Sequence, residues 1–139
     1  GKVDELNKLN LYLKKKNIKS LMLPVSAPFH CKLMSSATDV LKREIDKIEF
    51  KKSKNELISN VTAKEVSQPE EIKSLLIKQI ESRVRWRESV NYMISKGINQ
   101  FIEIGPGKVL SGLIKRINKN VKISAINSEE DISNININD

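Results

Sequence analysis

The sequence predicts an α/β fold, and three observations carry that expectation. From Phe101 to Ile126 an apolar run, a "GPG" turn, a helically periodic segment "KVLSGLIKRI" and a second apolar run "VKISAI" follow one another, the order of a βαβ unit with a parallel sheet. Apolar residues recur at helical spacing in several other segments, Leu33, Ala37, Leu41, Ile45 and Ile48 being the clearest stripe. Between periodic segments stand short apolar runs ended by proline or polar turns, as in "IKSLMLPV" at 18–25.

Taken in order, Val3, Leu6, Leu9 and Leu13 predict a helix in a Lys-rich stretch, and "IKSLMLPV" predicts a buried strand ended by Pro24. The stripe from Leu33 to Ile48 predicts a helix from about Lys32 to about Lys47. "ELISNV" is a second strand candidate. "SQPEEIKSLLIKQI" opens with Ser67 and, three residues on, Glu70, a capping box with Pro69 in the first turn. A helix from about Trp86 to Lys96 stops at Gly97, and "NQFIEI", the glycine turn, "KVLSGLIKRI" and "VKISAI" complete the pattern. The last dozen residues are polar, Asn-rich and aperiodic, and are expected to fray. No internal repeat and no interior linker is visible.

At 139 residues the chain can form one domain with a real core. It opens on Gly1, in what reads as a helix already under way, so an upstream part is expected to be missing. No apolar run approaches the roughly 18 residues that a membrane span needs, and no signal peptide is visible, so a soluble, intracellular protein is expected. One cysteine and one histidine supply neither an internal disulfide nor the four ligands of a structural zinc site. Lys and Arg number 25 against 17 Asp and Glu, a formal charge of +8, which suggests an acidic partner. The excess is nearly all lysine and runs with Asn and Ile throughout, so it reads as whole-sequence bias as much as a binding surface.

Four motifs invite chemistry. Cys31 and His30 are direct neighbours whose side chains diverge on either helix or strand, a poor geometry for a nucleophilic dyad, and Cys31 reads as a small apolar residue. "GPGK" at 105–108 has one residue between its glycines and Val109 after its lysine, so it is no phosphate loop. It remains a strand-to-helix turn whose amides could face an anion. "RVRWRE" at 83–88 interleaves arginines with the sole tryptophan; a solvated basic turn with a Trp anchored in the core is preferred to a base-stacking site. His30 follows Pro24 and Pro28 in a stiff loop between an expected strand and a helix start, where α/β folds place their sites, so a structural and a catalytic role stand level.

The runs "LPVSAPFHCKLM", "ISNVTA", "KQIESRVRWRESVNYM" and "FIEIGPGKVLSGLIKRI" together resemble the malonyl-CoA:acyl carrier protein transacylases, in order and with family-like spacing from Gly1 to about Ser128. The resemblance implies a partial α/β-hydrolase-like acyltransferase core with part of a ferredoxin-like small subdomain. Residues 1–27 would be the end of that subdomain, 28–127 the carboxyl-terminal part of the core, and 128–139 a polar, disordered tail. It implies a ping-pong transfer: a serine takes the malonyl group from malonyl-CoA and gives it to the phosphopantetheine thiol of acyl carrier protein. His30 matches the catalytic histidine, the general acid and base of both half-reactions. Gln79 matches the residue whose backbone carbonyl orients that ring. Phe29 matches a position where Phe often accompanies malonyl and Ser methylmalonyl selection.

The sequence departs from the family in what it lacks. No G-x-S-x-G elbow occurs, so the nucleophilic serine is missing, and Ser111 in "VLSGL" is no substitute. The arginine for the malonyl carboxylate and the early "G-Q-G" segment are also absent. The expectation is therefore an incomplete acyltransferase of fatty acid synthesis, inactive alone and cytoplasmic. It binds no permanent cofactor and no metal, meets no nucleic acid or membrane, and is monomeric when complete. Its partner is an acidic acyl carrier protein. Alternatives are an acyltransferase domain of a polyketide-type synthase and, from another class, a basic nucleic-acid-binding module.

Overall fold

The computed structural model describes residues 2–22 and 24–134. Helix α1 (Val3–Lys15) ends in a Schellman motif, with Asn17 in the left-handed region at φ 55° and the Ile18 N–H donating to the Leu13 carbonyl at 3.0 Å. The segment after it differs from expectation. Residues 18–22 form no strand, and Leu21 is 82% exposed. A strand exists only where a neighbour satisfies its backbone groups, and no described residue pairs with this one. Leu23 lies outside the described residues.

The helix expected over 32–47 is split: a 3₁₀ turn at Lys32–Met34 leads into α2 (Ser35–Ile45). A hairpin follows, with β1 (Leu57–Ile58) antiparallel to β2 (Glu65–Val66). Helix α3 (Pro69–Gln79) starts one residue later than the capping box requires. Pro69 takes the first helical position, which makes Gln68 the N-cap, and no side chain caps it. Val66, Ile72 and Leu75 form the core here, with Phe50 and Val61 packed on it. Lys73 on α3 pairs with Asp46 at the end of α2 at 3.1 Å.

Helix α4 (Trp86–Ser95) ends in a second Schellman motif, closed by Gly97 at φ 92°. Strand β3 (Gln100–Ile104), helix α5 (Val109–Ile117) and strand β4 (Lys122–Ile126) follow as expected, and β3 pairs parallel with β4 in the register Phe101 to Ile123. Val90, wholly buried, packs with Phe101 and Ile114, and Trp86 and Met93 cover them. A short helix α6 (Glu129–Ser133) occupies part of the tail expected to fray. The signal that places it is a capping box, with Ser128 accepting from the Asp131 N–H and Asp131 accepting from the Ser128 N–H. Residues 135–139 lie outside the described residues.

Two glycines test the backbone account. Gly107 sits at φ 90°, whereas Gly112 lies within α5, and neither has an atom within 4 Å of an added Cβ. Gly112→Ala should raise stability by about 0.5–1 kcal/mol through helix propensity. Gly107→Ala should lower it by about 1 kcal/mol or more through backbone strain alone. Urea unfolding of the two variants decides; shifts of the same sign would contradict the assignment.

Candidate active site

The loop at 24–34 is tightly wound. The Phe29 N–H donates to the Ala27 carbonyl at 2.9 Å, the Cys31 thiol to the Pro28 carbonyl at 3.1 Å, and the Met34 N–H to the Cys31 carbonyl at 3.0 Å. Between these bonds His30 takes a left-handed backbone, φ 61°, which costs a β-carbon-bearing residue free energy and concentrates at functional positions. Cys31 is committed to its own loop and faces no histidine nitrogen in any hydrogen bond.

His30 Nδ1 lies 3.0 Å from the backbone carbonyl of Gln79, across 49 residues of sequence. A carbonyl oxygen only accepts, so this bond requires Nδ1 to carry the proton and leaves the Nε2 lone pair free. Gln79 is the last residue of α3, where helix carbonyls lack ladder partners, and no described backbone N–H donates to it. Two contacts fix the end of this helix: Thr38 on α2 donates to Glu81 at 2.6 Å, and the Asn60 side-chain amide donates to Gln79 Oε1 at 3.3 Å. His30 and Gln79 line a cleft of about 510 Å³ with Phe29, Met34, Leu41 and Leu76. Phe29 is 55% exposed. Such an arrangement offers a fixed imidazole with one nitrogen available to take or give a proton.

The other motifs serve the frame. Arg85, partly exposed, donates from its guanidinium to the Thr62 carbonyl at 3.1 Å and to Glu88 at 3.4 Å, and from its backbone N–H to the Asn60 carbonyl at 2.9 Å. Arg83, Arg87 and Arg116 line a separate cleft of about 580 Å³ beside Trp86, which contains none of the residues above. The glycine turn offers no anion cradle. Its amides are occupied, Gly105 N–H by the Ile126 carbonyl at 3.0 Å and Gly107 N–H by Asn127 Oδ1 at 2.6 Å. The start of α5 is taken by Glu103, which accepts from the Leu110 and Ser111 N–H groups at 3.0 and 2.7 Å. Glu103, two residues before the "GPG" turn, thus supplies a carboxylate cap delivered from a strand. Among the described residues no group of His, Cys, Asp or Glu could hold a metal ion, and no helix is long and apolar enough to cross a membrane.

The site thus sets a loop histidine, fixed by a helix-end carbonyl, on an α/β scaffold. No family model matches the sequence. It is 44% identical to a malonyl CoA-acyl carrier protein transacylase of Bacillus subtilis (strain 168) over 82% of this chain and 36% of the relative. With the same enzyme of Staphylococcus aureus (strain COL) it shares 40% identity over 99% of this chain and 44% of the relative. The crystal structure of an acyl carrier protein S-malonyltransferase from Vibrio cholerae superposes with a TM-score of 0.85 at 38% identity, covering 98% of this chain and 45% of that one. A malonyl-transacylase solved in complex with its type II PKS acyl carrier protein gives a TM-score of 0.83 at 34% identity, over 96% of this chain and 43% of that one. The chain belongs with the malonyl CoA-acyl carrier protein transacylases. It spans less than half the length of these relatives.

The Glu103 cap carries a pH dependence. Ser111 first, then the other backbone N–H groups at the start of α5, hold the Glu103 carboxyl below its ordinary value of 4.5. A carboxyl lowered in the folded state contributes stability above its unfolded value, and that contribution disappears as pH falls through the folded one. The melting temperature of Glu103→Gln should therefore lie below wild type at neutral pH, and the gap should close as pH falls below 4.5 and through the lower folded value. A gap that stays constant or widens in acid would contradict the cap.

Proposed function

We propose that this chain is the carboxyl-terminal portion of an enzyme that moves a malonyl group from malonyl-CoA to the phosphopantetheine thiol of acyl carrier protein in fatty acid biosynthesis. The observation that carries the reading is the single tether of His30 Nδ1 to the Gln79 carbonyl, which leaves Nε2 for proton transfer. Residues 1–27 would close a small ferredoxin-like subdomain, and 28–127 would complete the acyltransferase core. The exposed apolar residues Leu21, Val25, Leu33 and Ile104 are then faces that the rest of the enzyme covers.

In the proposed mechanism His30 takes the proton of a serine hydroxyl as its oxygen attacks the thioester carbonyl of malonyl-CoA. The tetrahedral intermediate collapses, the carbon–sulfur bond breaks, and His30 returns the proton to the CoA thiolate. In the second half the ring deprotonates the carrier's thiol, whose sulfur attacks the malonyl-serine ester, and the serine leaves with that proton. The 139 residues contain no G-x-S-x-G, so the serine comes from the remaining portion and this chain alone is inactive. Phe29, which lines the cleft, would crowd an α-methyl group and favour malonyl over methylmalonyl units. The net charge of +8 would speed encounter with an acidic carrier protein. A cytoplasmic enzyme, monomeric when complete and without a resident cofactor, fits this chemistry. The relative solved with a polyketide carrier makes a polyketide-type carrier the alternative acceptor, and offering both carriers in one assay separates the two.

Two measurements test the reading. Incubated with radiolabelled malonyl-CoA, this chain should take up no covalent label; stable labelling would show a nucleophile within it. In the completed enzyme His30→Ala should lower transfer by about 10²-fold or more, and Gln79→Ala, which keeps its carbonyl, by much less. Equal losses would show that the Gln79 side chain matters as much as the ring it orients.

A further inference from the structure

The carbonyl that tethers His30 sits at a loosely bonded helix end. The Ile80 and Glu81 N–H groups bond three residues back, to Ile77 at 3.3 Å and Lys78 at 3.2 Å, while the Ser82 N–H bonds to Lys78 at 3.0 Å, the tightened pattern of a helix end that frays readily. The Gln79 carbonyl shares its peptide plane with the Ile80 N–H, so the helix holds its direction only through that 3.3 Å bond, and a further contact on residue 79 can steady it. The side chain of Gln79 has one hydrogen-bond partner recorded among the described residues, the Asn60 amide. Exchanging N and O on both amides leaves the pair bonded, so the link does not depend on how either amide is assigned.

Asn60 is itself immobilised. It lies in the turn joining β1 to β2, where the Ala63 N–H donates to the Ser59 carbonyl at 2.8 Å and the Val61 N–H to Ser59 Oγ at 3.2 Å. Ser59 and Ala63 are buried, and Ala63 holds a left-handed backbone at φ 56°. From outside, the backbone N–H and guanidinium of Arg85 clamp the Asn60 and Thr62 carbonyls. A half-buried amide presented by so fixed a turn can set the position of a helix end.

We infer that Asn60 is a positioning residue for His30: through the Gln79 side chain it fixes the carbonyl that holds the proton on Nδ1. Its importance for catalysis rests on the transacylase reading; its effect on the ring does not. Outer partners of a functional histidine commonly set its tautomer in this way.

His30 is the only histidine of the chain, so long-range ¹H–¹⁵N spectra of the labelled 139-residue protein report one imidazole. The neutral wild-type ring should be mainly Nδ1-protonated. Asn60→Ala should shift the population toward the Nε2-protonated form, and Gln79→Leu, which keeps the carbonyl but not the amide, should produce the same shift. The double variant should add nothing, because both remove one bond. Asn60→Asp should restore the wild-type spectrum, its carboxylate accepting from the Gln79 amide. A folded Asn60→Ala with wild-type tautomer populations would overturn the inference, as would additive shifts in the double variant. If Asn60→Ala does not fold, Gln79→Leu decides alone, an unchanged tautomer overturning it. Failure of the transacylase reading would appear elsewhere, as malonyl transfer indifferent to His30→Ala.

Discussion

One hydrogen bond across 49 residues of sequence organises this chain: His30 Nδ1 to the carbonyl of Gln79. It is short only because two unrelated pieces of local structure meet. One is the wound loop from Ala27 to Met34, which forces His30 into a left-handed backbone. The other is the carboxyl end of α3, carried to that point by Ile72 and Leu75 packing under Val66. Contacts between α2 and α3, among them Thr38 to Glu81 and Lys73 to Asp46, hold the pieces together. The partly exposed ion pair contributes little stability by itself, and its use is orientation. A backbone carbonyl in place of a carboxylate leaves the ring without an adjacent anion, while still deciding which nitrogen is free.

The second half of the chain is a frame with its own core. Val90, Phe101 and Ile114 knit α4, α5 and the parallel strands together. Glu103 and Asn127 spend their side chains on the turn and the start of α5. Arg85, at the head of α4, ties this frame to the β1–β2 turn. The link matters because the same turn carries Asn60, which reaches the end of α3. Rigidity therefore passes from the βαβ frame to the histidine through polar contacts as well as through packing.

Much of this was legible in the sequence. Periodicity located α1, α4 and α5, and Gly97 marked a helix stop because it occupies the left-handed closing position of a Schellman motif. The motif resemblance singled out His30 and Gln79, which the fold places within hydrogen-bond distance. The failures have physical causes. The apolar run at 18–25 looked like a buried strand because hydrophobicity is local, whereas a strand also needs a partner to pair with. The Ser67 capping box failed because Pro69 fixes the helix start at its own position. Asn60 and Arg85 stand in the quoted runs "ISNVTA" and "RVRWRE", but their roles stayed hidden because they lie in contacts across 19 and 23 residues. Glu103 was quoted in a motif whose purpose, capping a helix from a strand, appears only in three dimensions.

The central claim is that His30, with Nε2 left free by its tether, is the proton-transfer group of a malonyl transacylase. The most direct measurement is the rate at which this chain, joined to the remaining portion of the Staphylococcus aureus relative, takes up covalent label from radiolabelled malonyl-CoA. Gln79→Leu should still label, whereas His30→Ala should label about 10²-fold more slowly or worse. Labelling at the wild-type rate without His30 would contradict it.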